Sequence, residues 1–276
     1  MFSEVSVATD FHAQALRGIP VAADLASQLG VPLSVLSVVP GDDLVAARTQ
    51  DLRAALVQQG VDARLDVVPD VSPGNRIAET VRASPDRLLC MASHVRGPAA
   101  EALLGSVASR AIAGSRRPVM LIGPQCAERF AAGFRRVMVC VDGSDLSERV
   151  LPAALGLARQ LGAVLQLTQV VPPGLGPSAG RAVEAVAERL RAESGLAVDV
   201  RQLIGGDAGA VLIKALDEDR QTLPCMASHG RSGLERVLLG SVARHVARYA
   251  PVPVVLESVP DPANDAGLPP GVHVVG

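Results

Sequence analysis

The chain has no tryptophan, one tyrosine and four phenylalanines among 276 residues. The aromatic platforms on which single-stranded nucleic acid stacks are therefore scarce. Basic and acidic residues nearly balance, 26 against 28, with no sustained run of either sign. The electrostatic footprint of a nucleic-acid binder is missing too. Apolar residues are abundant but come as Ala, Val and Leu in short runs, none near the roughly eighteen continuous residues of a membrane span. The start, MFSEVSVATD, carries acidic Glu4 and no basic region before its apolar run, unlike a secretory leader. These absences lead to the expectation of a soluble, cytoplasmic protein with neither nucleic acid nor membrane as partner.

Cysteine is sparse as well. Cys90, Cys126, Cys140 and Cys225 form no C-x-x-C pair, and three of them sit in apolar strand-like runs. Reduced, buried thiols are expected rather than disulfides or metal ligands. Lysine occurs once, as Lys214, without the glycines of a Walker phosphate loop, so that loop is excluded. The pairs Ser93-His94 and Ser228-His229 sit at strand ends, where sequence neighbours point apart. There is no G-x-S-x-G elbow either, and no catalytic residue is expected.

What the chain does have is a repeat. Residues 225 to 258, CMASHGRSGLERVLLGSVARHVARYAPVPVVLES, rewrite residues 90 to 123, CMASHVRGPAAEALLGSVASRAIAGSRRPVMLIG. One swap stands out, Val95 for Gly230. Asp10 matches Asp142 at nearly the offset at which Ser93 matches Ser228, so the duplication runs the whole length with one small insertion. The length suits two domains of about 130 residues. The expected units are 1–124 and 134–258, joined by PQCAERFAAG, with a Pro- and Gly-rich flexible tail over 259–276.

Within each copy, apolar runs of strand length alternate with longer amphipathic stretches, the order of βαβ units around a parallel sheet. In the first copy strands are expected at Val5 to Thr9, Pro32 to Val39, near Arg64 to Val68, at Arg87 to Ala92 and from Pro118. Helices are expected over His12 to Leu29, Leu44 to Gln59, Arg76 to Ala83 and from Ser106, the first two stopped by Gly30 and Gly60. The second copy repeats the series: Arg135 to Asp142, a helix over Leu146 to Leu161, a strand through AVLQLTQVV, a helix over Arg181 to Ser194, AVDVRQLI, a helix across Ala210 to Leu216, LPCMA, a helix from Ser241 and VPVVLE. Each half reads as a five-stranded α/β domain.

In open parallel sheets, ligands bind beyond the carboxyl ends of the strands. Three segments of the second half meet there: VDGSDLS with Asp142 and Gly143, QVVPP with Val170, and ASHGRSGLERVLLGS with Ala227, Gly230, Arg231, Gly240 and Ser241. Gly230 lets backbone N–H groups approach a ligand. Gly240 and Ser241 open a helix whose first N–H groups and dipole favour an anion. Arg231 adds charge, Asp142 suits ribose hydroxyls as an acceptor, and backbone near Val170 can read an adenine edge. Glycine turns and Gly-Ser caps are also ordinary loop chemistry, and spacing alone leaves that reading open.

Over its whole length the chain resembles a tandem member of the universal stress protein family. Nucleotide-binding members carry G-x-x-G, nine residues, then G-[ST] after the fourth strand. The second half reads Ala227-Ser-His-Gly230, RSGLERVLL, Gly240-Ser241, with alanine for the first glycine. The resemblance implies a Rossmann-like α/β fold, two tandem open-twisted parallel five-stranded sheets in the order 3-2-1-4-5, paired through their fifth strands. It implies ATP, alone or with Mg2+, as cofactor. Asp142 would face the ribose, Val170 the adenine, and Gly230, Gly240 and Ser241 the phosphates. The first half keeps Asp10, Val38, Gly105 and Ser106 but reads Ala92-Ser-His-Val95. The implied function is a stress-response regulator that binds adenine nucleotide chiefly in its second half, is at most a slow ATPase, and offers a surface to a protein partner. Exposed fifth strands would allow a further homodimer. The other reading is a nucleotide-independent interaction module with vestigial pockets, supported by the lost glycines at Ala92, Val95 and Ala227. An adenylyl transferase is disfavoured because no H-x-G-H signature is present.

Overall fold

The computed structural model describes residues 1–93, 105–130, 132–174, 180–228 and 239–257. The expected tail, Val95, Gly230, Arg231 and both Ser-His histidines lie outside them.

The first half runs β1 (Glu4–Ala8), α1 (Ala13–Leu16), α2 (Gly18–Leu29), β2 (Leu33–Val39), α3 (Val45–Gln59), β3 (Arg64–Pro69), α4 (Pro73–Arg82), β4 (Arg87–Ala92), α5 (Ser106–Ser115) and β5 (Val119–Ile122). The second runs β6 (Arg136–Cys140), α6 (Asp145–Glu148), α7 (Leu151–Leu161), β7 (Val164–Val171), α8 (Arg181–Ser194), β8 (Val198–Ile204), α9 (Ala208–Glu218), β9 (Thr222–Ala227), α10 (Ser241–Tyr249) and β10 (Val254–Glu257). Gly30, Gly60, Gly162 and Gly195 all sit in the left-handed region at helix C-caps, where a Cβ would be strained.

Two helices expected as single runs are broken. His12 to Leu29 splits at Arg17, and Leu146 to Leu161 splits near Arg149. The cause is a proline at the same place in each copy. Pro20 has no N–H to give the Leu16 carbonyl and Pro152 none to give that of Glu148. The freed Leu16 carbonyl accepts instead from Gln59 Nε2 at 3.3 Å.

Each half forms its own parallel sheet in the order 3-2-1-4-5, and the two join into one sheet, β3-β2-β1-β4-β5-β10-β9-β6-β7-β8. Among the described strands the one antiparallel junction is β5 on β10, with Met120 opposite Val255. The interior strands read as continuous apolar runs because helices cover them; Val119, Met120, Val255 and Leu256 are fully buried. The expectation of exposed fifth strands that pair a further copy is therefore corrected. Both are consumed by each other inside the chain, and among the described residues the edges of the sheet are β3 and β8.

The junction is reinforced by a reciprocal clamp. Gln160 of α7 accepts from Phe2 N at 2.8 Å and donates to Phe2 O at 2.7 Å, just before β1. At the matching position, Gln28 of α2 accepts from Phe134 N at 2.8 Å, just before β6, and donates to Phe130 O at 3.1 Å. Each half thus holds the first strand of the other, the isologous pattern of a two-fold dimer carried in one chain. Buried Asp24 adds bonds to Phe130 N at 2.6 Å and to Arg129 at 2.9 Å, fixing the linker. Gln28→Leu and Gln160→Leu are each expected to lower unfolding stability by about 1–3 kcal/mol, the cost of orphaning part-buried backbone groups. Urea titration of the single and double variants checks this, with near-additive losses expected because the two clamps share no partner.

Candidate functional site

The second half gathers its candidate residues around a cavity of about 290 Å3 at the carboxyl ends of β6, β7 and β9. Cys140 stands in register with Thr168 on one side and Met226 on the other. Residues in register present side chains to the same face. All three line the cavity, roofed by Ala208 and Leu212 of α9 and by Val242 and Ala243 at the start of α10. Helices α9 and α10 approach closely because position 209 is glycine; a Cβ there would lie 2.8 Å from the His245 ring.

Of the residues expected at the site, Asp142, Val170, Ala227, Gly240 and Ser241 line this cavity. Gly143 lies beside it in the turn after β6 at φ +81°. Asp142 is placed by local hydrogen bonds: its Oδ1 accepts from Ser144 N at 3.0 Å and Ser144 Oγ at 2.6 Å, and its N–H donates to Ser147 Oγ at 3.3 Å. Ser144 in turn caps α6 by accepting from Ser147 N at 3.2 Å. Ala227 is an extended residue of β9, so its Cβ needs no left-handed backbone. Gly240 is the N-cap of α10, extended at φ −59°, and is held by its N–H donating to Ser228 O at 2.7 Å. Geometry leaves the first N–H groups of α10 without intrahelical partners, at the positive end of the helix dipole.

Sequence patterning did not single out Cys140, Thr168 or Leu212, and Ser147 entered only as the last residue of the segment VDGSDLS. Cavity-facing strand residues of a doubly covered sheet look like core, and only the register exposes them. Burial pushes the Cys140 thiol up to about 12 and raises that of Cys225 as well, so both remain neutral thiols at physiological pH. All four cysteines are free thiols, Cys90, Cys126 and Cys225 buried and Cys140 half-buried.

In the first half, Asp10, Val38, Gly105 and Ser106 occupy the matching strand ends and helix start. The surroundings differ. Leu36, 2 % exposed, pairs with Ala8 where Thr168 pairs with Cys140. Pro73 begins α4 where Ala208 begins α9. Phe11 stands where Gly143 does and adopts φ +69°, a conformation costly for an aromatic residue, with the Arg48 guanidinium stacked on its ring at 5.3 Å.

Glu257 also escaped sequence reading. It ends β10 beside Ala227, and its carbonyl accepts from Ser228 N at 2.9 Å. Burial pushes its carboxyl up to about 7, against the pull of Arg117 and Arg149. An acid whose folded value lies above its ordinary 4.5 binds its proton more tightly when folded. Its contribution to stability is thus lost as pH rises from about 4.5 to about 7. Glu257→Gln is expected to raise the Tm near pH 8 by about 2–4 °C and to leave it unchanged near pH 4.5, as thermal scans across pH will read.

Comparison with known proteins places this architecture. The family model described as "Universal stress protein family" matches residues 1–123 and again 133–256. Universal stress protein Rv2005c of Mycobacterium tuberculosis is 31% identical over 209 residues, 71% of this chain and 70% of that protein. Universal stress protein MJ0531 of Methanocaldococcus jannaschii is 27% identical over 46% of this chain and 84% of its own length. Among solved structures, a universal stress protein from Archaeoglobus fulgidus matches with TM-score 0.63 at 21% identity, covering 93% of this chain and 98% of that one.

Proposed function

Because the chain belongs to the universal stress protein family and carries its domain twice, we propose that it is a stress-response regulator that binds adenine nucleotide in its second half. The observation that carries this is the cavity itself. Its lining combines an apolar slot, a carboxylate at Asp142 and the start of α10 at Gly240 and Ser241. Those are the surroundings that a base, a ribose and a phosphate chain require.

ATP supplies the negative charge that the start of α10 favours. Mg2+ would arrive with the triphosphate; among the described residues no three His, Cys, Asp or Glu side chains gather to hold an ion alone. The chain's own residues bind and orient. Among the described residues that line the cavity the one carboxylate is Asp142, which this reading places at the ribose, so regulation by occupancy is proposed rather than turnover. The protein partner would read that occupancy. Among the described residues no helix is long and apolar enough to cross a membrane.

The test is to purify the protein without added nucleotide, denature it and quantify adenine nucleotide per chain, with Gly240→Val and Gly105→Val alongside. Both glycines are N-caps with φ near −60°, which valine adopts, and of the two Gly240 lines the cavity. About one equivalent in wild type, kept by Gly105→Val and lost by Gly240→Val, is the expected result. Wild type that is empty and also silent in calorimetry overturns the reading and leaves a nucleotide-independent interaction module.

A further inference from the structure

The strand order divides the cavity. Thr168 and Val170 lie on β7, Asp142 follows β6, and Gly240 and Ser241 follow β9, with β6 in the middle. Adjacent strands lie about 4.8 Å apart, so β7 and β9 are separated by roughly 9–10 Å. A nucleotide laid across the strand ends places its base over β7, its ribose at β6 and its phosphates at β9.

At the base end the floor carries a buried polar pair absent from the first half. Thr168, 1 % exposed, donates its hydroxyl hydrogen to Gln166 Oε1 at 3.4 Å, and Gln166 is itself 8 % exposed. The matching first-half residues are Ser34 and Leu36. A buried polar pair in a floor that could be apolar carries a desolvation cost, which a ligand contact offsets. The direction of the bond matters. In this arrangement the hydroxyl hydrogen faces Gln166 Oε1 and the Thr168 oxygen keeps its lone pairs for a donor in the cavity; turning the hydroxyl round would leave Gln166 Oε1 unpaired in the interior.

We propose that Thr168 is the specificity-determining residue of the second-half cavity, selecting a base that offers an amino group there. Adenine presents an N6 amino donor where guanine presents the O6 acceptor. Facing the Thr168 oxygen, adenine makes a hydrogen bond and guanine sets two acceptors against each other. This rests on the nucleotide reading above and extends it from nucleotide binding to base choice.

The experiment is calorimetric titration of the full chain with ATP and with GTP, in wild type, Thr168→Val and Thr168→Ser, with thermal unfolding recorded for each. Wild type should favour ATP. Thr168→Val, which keeps the shape and removes the oxygen, should weaken ATP about 3- to 10-fold and leave GTP unchanged or tighter. Thr168→Ser, which keeps the hydroxyl, should retain the preference. Equal weakening of ATP and GTP in Thr168→Val, or an unchanged ratio, overturns the proposal while the nucleotide reading stands. Wild type that binds neither nucleotide overturns both.

Discussion

Ala208→Phe is expected to abolish nucleotide binding while leaving the fold intact. Ala208 is the first residue of α9 and lines the cavity facing the β6 and β7 floor. It is only partly buried, so a larger side chain there does not have to displace core. A phenyl ring reaching into a space of about 290 Å3 occupies the apolar slot that a base needs. The loss should exceed about 30-fold in Kd, more than 2 kcal/mol, because both apolar burial and the base-end hydrogen bond go together. Circular dichroism and Tm close to wild type, with no calorimetric signal for ATP, are the expected pair of readings. The matching change in the first half, Pro73→Phe, should leave binding untouched.

The largest stability effect is expected at Gly123. This residue follows β5 at the junction of the halves, and a Cβ placed there meets the Ala247 carbonyl oxygen at the end of α10, with the Arg248 carbonyl 3.8 Å away. The obstruction is backbone rather than a flexible side-chain tip, so nothing nearby can rotate aside. The same corner is tied down by Cys126 N donating to Gly123 O at 3.1 Å and Ala127 N donating to Pro251 O at 3.0 Å. Gly123→Val must therefore push α10 away from the linker or break these bonds. A loss of about 3 kcal/mol or more is expected, a fall in Tm of about 6–12 °C for a chain of this size. Displacement of α10 also moves Gly240 and Ser241, so ATP affinity should fall in the same variant. A Gly123→Val protein as stable as wild type would show that the halves do not pack at this corner.

Much of this organisation was legible in the sequence. Periodicity placed the ten strands because runs such as RLLCMA and RVMVC alternate with glycine-stopped amphipathic segments. The helix breaks before Pro20 and Pro152 were missed, since the apolar stripe continues through both prolines and their effect falls one turn upstream. The clamps by Gln28 and Gln160 were invisible for a different reason. They join residues far apart in the chain, and a surface-pattern glutamine carries no local sign of its partner. Around the cavity, the candidates Asp142, Gly240 and Ser241 were legible because turn and cap residues break the strand and helix patterns, and Val170 because it lies near the carboxyl end of an apolar strand run. Thr168 and Cys140 were not, because β7 carries Gln166, Thr168 and Gln169 alike among its apolar residues, and only register separates a cavity floor from core. The left-handed conformation of Phe11 was equally hidden; Gly143 announces such a turn and phenylalanine does not.

The central claim, one nucleotide per chain held by the second half, is tested most directly by titrating ATP into nucleotide-free wild type and Ala208→Phe in a calorimeter. The account predicts one site per chain in wild type and none in Ala208→Phe. Two equal sites, or a wild-type isotherm unchanged by Ala208→Phe, would contradict it.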